Sequence, residues 1–290
     1  MKHPAAQNGT ERFRLTGRVK LALAVAILCL AGLLIIARFY PKEQRLNGLL
    51  VDLELNSPDP GRYNELRDVL TRRLQAEVAS LRNLQVGLTY VHFTELSPHI
   101  LNPDRFDFLI LSPQSTPWHM YRDEAGRRLE SVKDLLRQSI LNDGMPALGI
   151  CGGHQFLALA FGGAVDFIDP RFEGSYPERY PKEAVAERGR IALQTIKDDP
   201  IFEGLAVHPG FFEVMESHYE EVKAVPPPFI NLAKSDMSEA QLMRIPGKSV
   251  YGMAFHPERG WDLEHDSAVS PTAGKQILAN FLRMVARKKP

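Results

Sequence analysis

Pro146-Ala147-Leu148-Gly149-Ile150-Cys151-Gly152-Gly153-His154-Gln155 reads as a short buried strand, a tight turn and the opening of a helix. The strand is assigned to Pro146–Ile150. The helix, from about His154 to Phe161, stops at Gly162-Gly163. A cysteine between a strand and a helix, set in Gly149-x-Cys151-x-Gly153, is the arrangement of a nucleophile elbow. Such a turn needs residues without Cβ, because neighbouring atoms crowd the strained nucleophile. The helix that follows aims its first N–H groups at the sulfur and favours thiolate. The N–H of Gly152 is placed to help bind an oxyanion. Taken alone, the stretch also fits a buried structural cysteine beside a glycine turn. A zinc site on Cys151 and His154 lacks a further cysteine or a nearby second histidine pair.

A second stretch, Phe255-His256-Pro257-Glu258, shifts the balance toward chemistry. His256 and Glu258 are two residues apart at the end of an expected strand, so both project to one side of an extended chain. Glu258 can hold one imidazole nitrogen while the other faces Cys151. Pro257 stiffens the backbone between them and ends the ladder. Thiol, imidazole and carboxylate together are the minimum equipment for thiol-based acyl transfer. The order Cys, His, Glu departs from the α/β-hydrolase order, in which the acid precedes the histidine.

Outward from the elbow, buried strands alternate with amphipathic helices. Strands are expected at Leu46–Leu55, Leu84–Phe93 and Phe106–Leu111, and helices at Arg62–Leu81 and residues 124–141. This pattern implies an α/β domain with a mostly parallel sheet and helices on both faces. The second half is strand-rich, at Ile191–Lys197, Phe211–Glu216, Ile230–Ala233, Gln241–Ile245 and Val250–Phe255. It closes in a helix from about Thr272 to Arg287. Residues 169–190, rich in Pro, Glu, Arg and Tyr, read as a surface excursion.

Three segments are expected: a basic tail over residues 1–20, a membrane anchor over 21–40 and the α/β domain over 46–290. Leu21–Ala37 is uncharged and lies at the short end of the roughly 17–25 residues that cross hydrocarbon. Lys20 and Arg38 can snorkel, and Phe39 and Tyr40 suit the interface. Lys2, Arg12, Arg14, Arg18 and Lys20 precede the run, against Arg38, Lys42 and Arg45 after it. The expectation is therefore a single-pass membrane protein, N-terminus in the cytoplasm and domain outside. The 35 basic and 35 acidic residues give zero net charge, which argues against a nucleic-acid surface. The two cysteines, Cys29 and Cys151, are not expected to pair. His92, His99, His119, His208 and His265 show no ligand spacing, and Trp118 and Trp261 read as packing residues.

These motifs resemble those of the triad-type class I glutamine amidotransferases. The family's G-x-C-x-G-x-Q elbow is matched by Gly149, Cys151, Gly153 and Gln155, and its His-Pro-Glu by residues 256–258. Val214-Met215-Glu216-Ser217-His218 is similar to the strand before the family's Ser-His pair, and Tyr251–Phe255 to the run into its histidine. The resemblance covers residues 46–287. It implies a flavodoxin-like fold and hydrolysis of a glutamine side-chain amide or γ-glutamyl conjugate, without metal or cofactor. Cys151 would attack, His256 would move the proton and Glu258 would hold His256. Gly152, Gln114, Gln155, Ser217 and His218 would serve as oxyanion and substrate-binding residues. A separate synthetase partner is implied if the ammonia is used.

One departure affects the oxyanion hole. Where the family carries Gly-Gly-Pro, this chain has Ser112-Pro113-Gln114-Ser115-Thr116. Pro113 has no N–H to give, while Gln114 does. Two alternatives to the enzyme follow or remain. One is a weak or inactive member that binds a γ-glutamyl ligand or a partner. The other is a thiol hydrolase of the Cys-His-Gly protease-like type, against which Gly152 after the cysteine and the His-Pro-Glu both count.

Overall fold

The computed structural model describes residue 26 and residues 44–55, 84–205, 210–258 and 272–288. The chain divides at Gln44, and the fold described below is that of Gln44–Pro290 taken by itself. The expected helix over residues 62–81, together with His208, Trp261 and His265, lies outside the described residues.

In chain order the elements are β1 (Gln44–Asp52), β2 (Leu84–His92), β3 (Phe108–Leu111), α1 (Asp123–Leu141), β4 (Ala147–Ile150) and α2 (Gly152–Ala160). Then come β5 (Ala164–Phe167), β6 (Glu187–Thr195), β7 (Phe211–His218), β8 (Glu220–Ala224), β9 (Ile230–Lys234), β10 (Leu242–Arg244), β11 (Val250–Met253) and α3 (Thr272–Lys288). The main sheet runs β2-β1-β3-β4-β11-β10-β9-β6-β7. Its first five strands are mutually parallel in the flavodoxin-like order, and the remainder is antiparallel. Strands β5 and β8 form a separate antiparallel pair. Neither was expected from the sequence: β5 is four residues long and only its last is buried, and β8 reads Glu-Glu-Val-Lys-Ala.

The period of two along each strand builds two cores. Leu46, Leu50, Phe108, Ile110, Leu148, Ile150, Tyr251 and Met253 face Ile277, Phe281, Leu282 and Val285 of α3. Leu49, Val51, Leu109, Leu111 and Val250 face the other way, onto Val132, Leu136 and Ile140 of α1 and Phe156 and Leu157 of α2. Burial on both faces explains why the parallel strands read as unbroken apolar runs rather than alternating ones.

The expected membrane localisation is overturned. Among the described residues no helix is long and apolar enough to cross a membrane. Residues 21–40, on which that expectation rested, lie outside the described residues except for Ala26. The expectation rested on an uncharged run of minimal length, on snorkelling and interfacial residues at its ends and on a small charge bias.

Phe108 is fully buried and meets Phe281 edge-on at 5.9 Å, which ties the parallel sheet to the last helix. Phe108→Ala is expected to lower the free energy of unfolding by about 3–5 kcal/mol in urea titrations, and Phe108→Leu by clearly less. Equal losses in the two variants would refute this packing account.

Candidate active site

The site forms at the carboxyl ends of the parallel strands, where open α/β sheets bind ligands. Cys151 follows β4 directly, and it has φ 49° and ψ −106°, a conformation that L-residues other than glycine avoid. Three hydrogen bonds over-determine it. Its N–H donates to the Met253 carbonyl at 2.8 Å, and its own carbonyl accepts from His154 and Gln155 at 2.9 and 3.2 Å. The flanking glycines are required by close approach. A Cβ on Gly149 would run into the Gly153 carbonyl, and one on Gly153 into the Leu111 carbonyl.

Strand β11 lies beside β4 in parallel, Gly149 opposite Gly252 and Ile150 opposite Met253. The chain leaving β11 therefore passes the elbow within three residues. The His256 N–H donates to the Met215 carbonyl of β7 at 2.8 Å, which fixes the backbone there. The His256 Nδ1 meets Glu258 Oε1 at 2.6 Å, and both side chains are buried. Burial opposes a charge on this imidazole. The Glu258 carboxylate and then the Cys151 sulfur outweigh that effect and push its pKa up to about 10. With Nδ1 engaged by Glu258, Nε2 is the nitrogen left for the sulfur. The Cys151 thiol is also buried and has the Ser217 carbonyl at 4.0 Å.

Gln114 crosses directly over Gly152: a Cβ on Gly152 would lie 2.8 Å from the Gln114 backbone nitrogen. The Gln114 backbone thus lies against the residue that follows the nucleophile. The loop that carries Gln114 is held by Glu54, just beyond β1. Glu54 accepts from the Ser115 N–H at 2.9 Å, from the Ser115 hydroxyl at 2.7 Å and from the Thr116 hydroxyl at 2.6 Å.

The other expected site residues divide by direction. Ser217 is exposed beside the cysteine, whereas its neighbour His218 points to the opposite face and is buried. There His218 Nδ1 donates to the Glu220 carbonyl at 2.9 Å, and Nε2 lies 3.1 Å from Glu187 and 3.2 Å from Glu216. Gln155 uses its carboxamide internally, accepting from the Trp118 indole at 2.7 Å and donating to the Glu220 carbonyl at 2.7 Å. His154 lies against Gly252, where burial and then His218 hold its pKa down to about 4.

Two contributors were not legible beforehand. Tyr180 comes from the excursion, donates to Glu220 Oε2 at 2.7 Å, accepts from the Gln114 amide at 3.3 Å and stacks on Tyr219 at 4.9 Å. Burial lifts the Glu220 pKa to about 7, against the stabilising Tyr180 hydroxyl. The tyrosines of residues 169–190 were the available signal, since a purely solvated loop has little use for aromatic side chains. Glu54 carried no signal, because its partners lie 61 and 62 residues away.

A family profile described as glutamine amidotransferase class-I matches residues 67–283. A glutamine-hydrolyzing GMP synthase subunit of Methanosarcina barkeri is 34% identical over 163 residues, covering 56% of this chain and 67% of that protein. The protein of the same name from Methanopyrus kandleri is 35% identical over 163 residues, covering 56% and 70%. The chain thus spans about two thirds of the length of these curated relatives. A crystal structure of a glutamine amidotransferase from Thermotoga maritima gives a TM-score of 0.57 over 84% of this chain and 100% of that one. Its 18% identity makes this a likeness of fold.

The raised His256 pKa has a pH signature. Protonation favours the folded state between the unfolded value near 6.5 and the folded value near 10. The stabilisation is complete below pH 6.5 and is lost as pH rises through 10. The difference in urea midpoint between wild type and His256→Gln should therefore shrink steadily from pH 7 to pH 10. A constant difference would contradict the assignment.

Proposed function

This chain belongs to the glutamine amidotransferase class-I family, and from that premise we propose that it hydrolyses the side-chain amide of glutamine through Cys151, His256 and Glu258. The observation that carries the reading is the buried His256, held at 2.6 Å by Glu258 and pushed toward its charged form by that carboxylate and then by the cysteine sulfur. Such an imidazole beside the sulfur is placed to hold the thiol's proton while the nucleophile attacks.

The Cys151 thiolate attacks the carboxamide carbon, and the carbonyl electrons move onto oxygen. The backbone N–H groups of Gly152 and Gln114 stabilise that oxyanion. The intermediate collapses as the C–N bond breaks, His256 Nε2 gives its proton to the nitrogen, and ammonia leaves a γ-glutamyl thioester. The neutral imidazole then takes a proton from water, whose oxygen attacks the thioester. Collapse releases glutamate and restores the thiolate–imidazolium pair. Glu258 keeps the ring oriented and stabilises its charge throughout. A γ-glutamyl conjugate would follow the same steps with an amine in place of ammonia. We assign this chemistry to residues 46–290. The relatives' designation as one component of a GMP synthase supports a partner polypeptide that accepts the ammonia.

Ammonia release from glutamine, measured with γ-glutamyl amides in parallel, tests the proposal. Cys151→Ser should abolish turnover, and turnover equal to wild type would exclude the mechanism. Turnover of the amides without glutamine would assign the conjugate as substrate. Gln114→Pro deletes the loop N–H and should cost about 10²–10³ in kcat, whereas Gln114→Ala keeps that N–H and most of the rate. Equal effects of the two would remove Gln114 from the oxyanion hole.

A further inference from the structure

Glu187, Glu216 and His218 form a buried cluster outside the steps just described, each no more than 4% exposed. The sheet creates it. In the antiparallel β6–β7 ladder Glu187 stands opposite His218, and Glu216 lies two residues along from His218, so all three share one face. One ligand atom from each lies within 4.8 Å of the others.

We propose that this cluster is a zinc site with Glu187, Glu216 and His218 as protein ligands. The spacing fits the metal. Tetrahedral zinc with bonds of about 2.0–2.1 Å sets its ligands about 3.3 Å apart. The His218 Nε2 lies 3.1 Å from Glu187 Oε2 and 3.2 Å from Glu216 Oε2. Neither contact has hydrogen-bond geometry, so the in-plane axis of Nε2 is aimed at neither oxygen. The other ring nitrogen, Nδ1, donates to the Glu220 backbone carbonyl at 2.9 Å. That is the usual arrangement behind a metal-bound histidine, and it leaves Nε2 as the ligating atom.

A separate residue points to the same place. Gln241 is fully buried and its Nε2 donates to Glu187 Oε2, while its Oε1 has no hydrogen-bond partner. Both oxygens of Glu216 also lack hydrogen-bond partners. Buried polar atoms are ordinarily satisfied, so such a concentration calls for a ligand. An imidazole nitrogen among the ligands favours zinc over calcium or magnesium. The site does not depend on the proposed hydrolysis, and it would brace β6 against β7 below Ser217.

The test uses the full chain, equilibrated with zinc and dialysed, with metal content read by atomic emission. About one zinc per chain is expected in wild type and in Cys151→Ser. Loss of the zinc in Cys151→Ser would reassign it to the thiol and overturn the proposal. Gln241→Ala should weaken zinc binding roughly 10–100-fold, as removal of a hydrogen-bond partner behind a metal ligand does. Glu216→Gln should hold less than about a tenth of the wild-type metal. Should that variant fail to fold, wild-type protein loaded with cobalt(II) decides: intense visible bands of a four-coordinate ion support the site. Their absence, or metal-free wild type after zinc loading, would mean that protons alone close the cluster and the site does not exist.

Discussion

A single strained residue organises the carboxyl edge of this sheet. Cys151 occupies a backbone conformation that costs of order 1–3 kcal/mol. Nothing within the elbow recovers that cost, so neighbouring structure must hold it. The Met253 carbonyl anchors the incoming N–H, and the first turn of α2 takes up the outgoing carbonyl. The glycines on either side permit the Leu111 and Gly153 backbones to come within touching distance. Strands β3, β4 and β11 are thereby locked in mutual register, and the loops that follow them converge on one sulfur.

Around that sulfur the protein buries an unusual amount of charge. His256 with Glu258, Tyr180 with Glu220, and His218 with Glu187 and Glu216 are gathered by β6, β7, β8, the excursion and the chain beyond β11. Each group is costly to bury alone and tolerable only with a partner. The edge therefore behaves as one coupled electrostatic unit rather than a set of independent pairs. His218 helps hold His154 neutral, and Cys151 helps hold His256 charged. Substitution of one member disturbs the protonation of the others even where the backbone does not move.

The parallel half of the sheet was readable because its strands are apolar on both faces and its elbow is a contiguous motif. The cysteine and the His-Pro-Glu were readable for the same reason: each is a local pattern with a chemical meaning. The pair β5–β8 was not, because four residues of which only the last is buried and a charge-dense stretch carry no periodic signal. Glu54, Tyr180 and Glu187 were also invisible. Their importance comes from strand register and loop path, which bring together residues tens of positions apart. Ser217 and His218 show the limit of a motif: a two-residue resemblance does not say that adjacent side chains leave a strand on opposite faces. The apolar run near the N-terminus lies outside the described residues, and among those no helix is long and apolar enough to cross a membrane.

The loop over the elbow owes its shape to a carboxylate just beyond the end of the neighbouring strand. Where glycine-rich backbone makes such a turn, its geometry is intrinsic to the turn. Here Glu54 grips it from outside, through the Ser115 and Thr116 hydroxyls and one amide. The path of the Gln114 backbone over Gly152 is thus set from outside the loop. A lineage can reshape that loop by a change at position 54 alone, leaving the motif residues untouched.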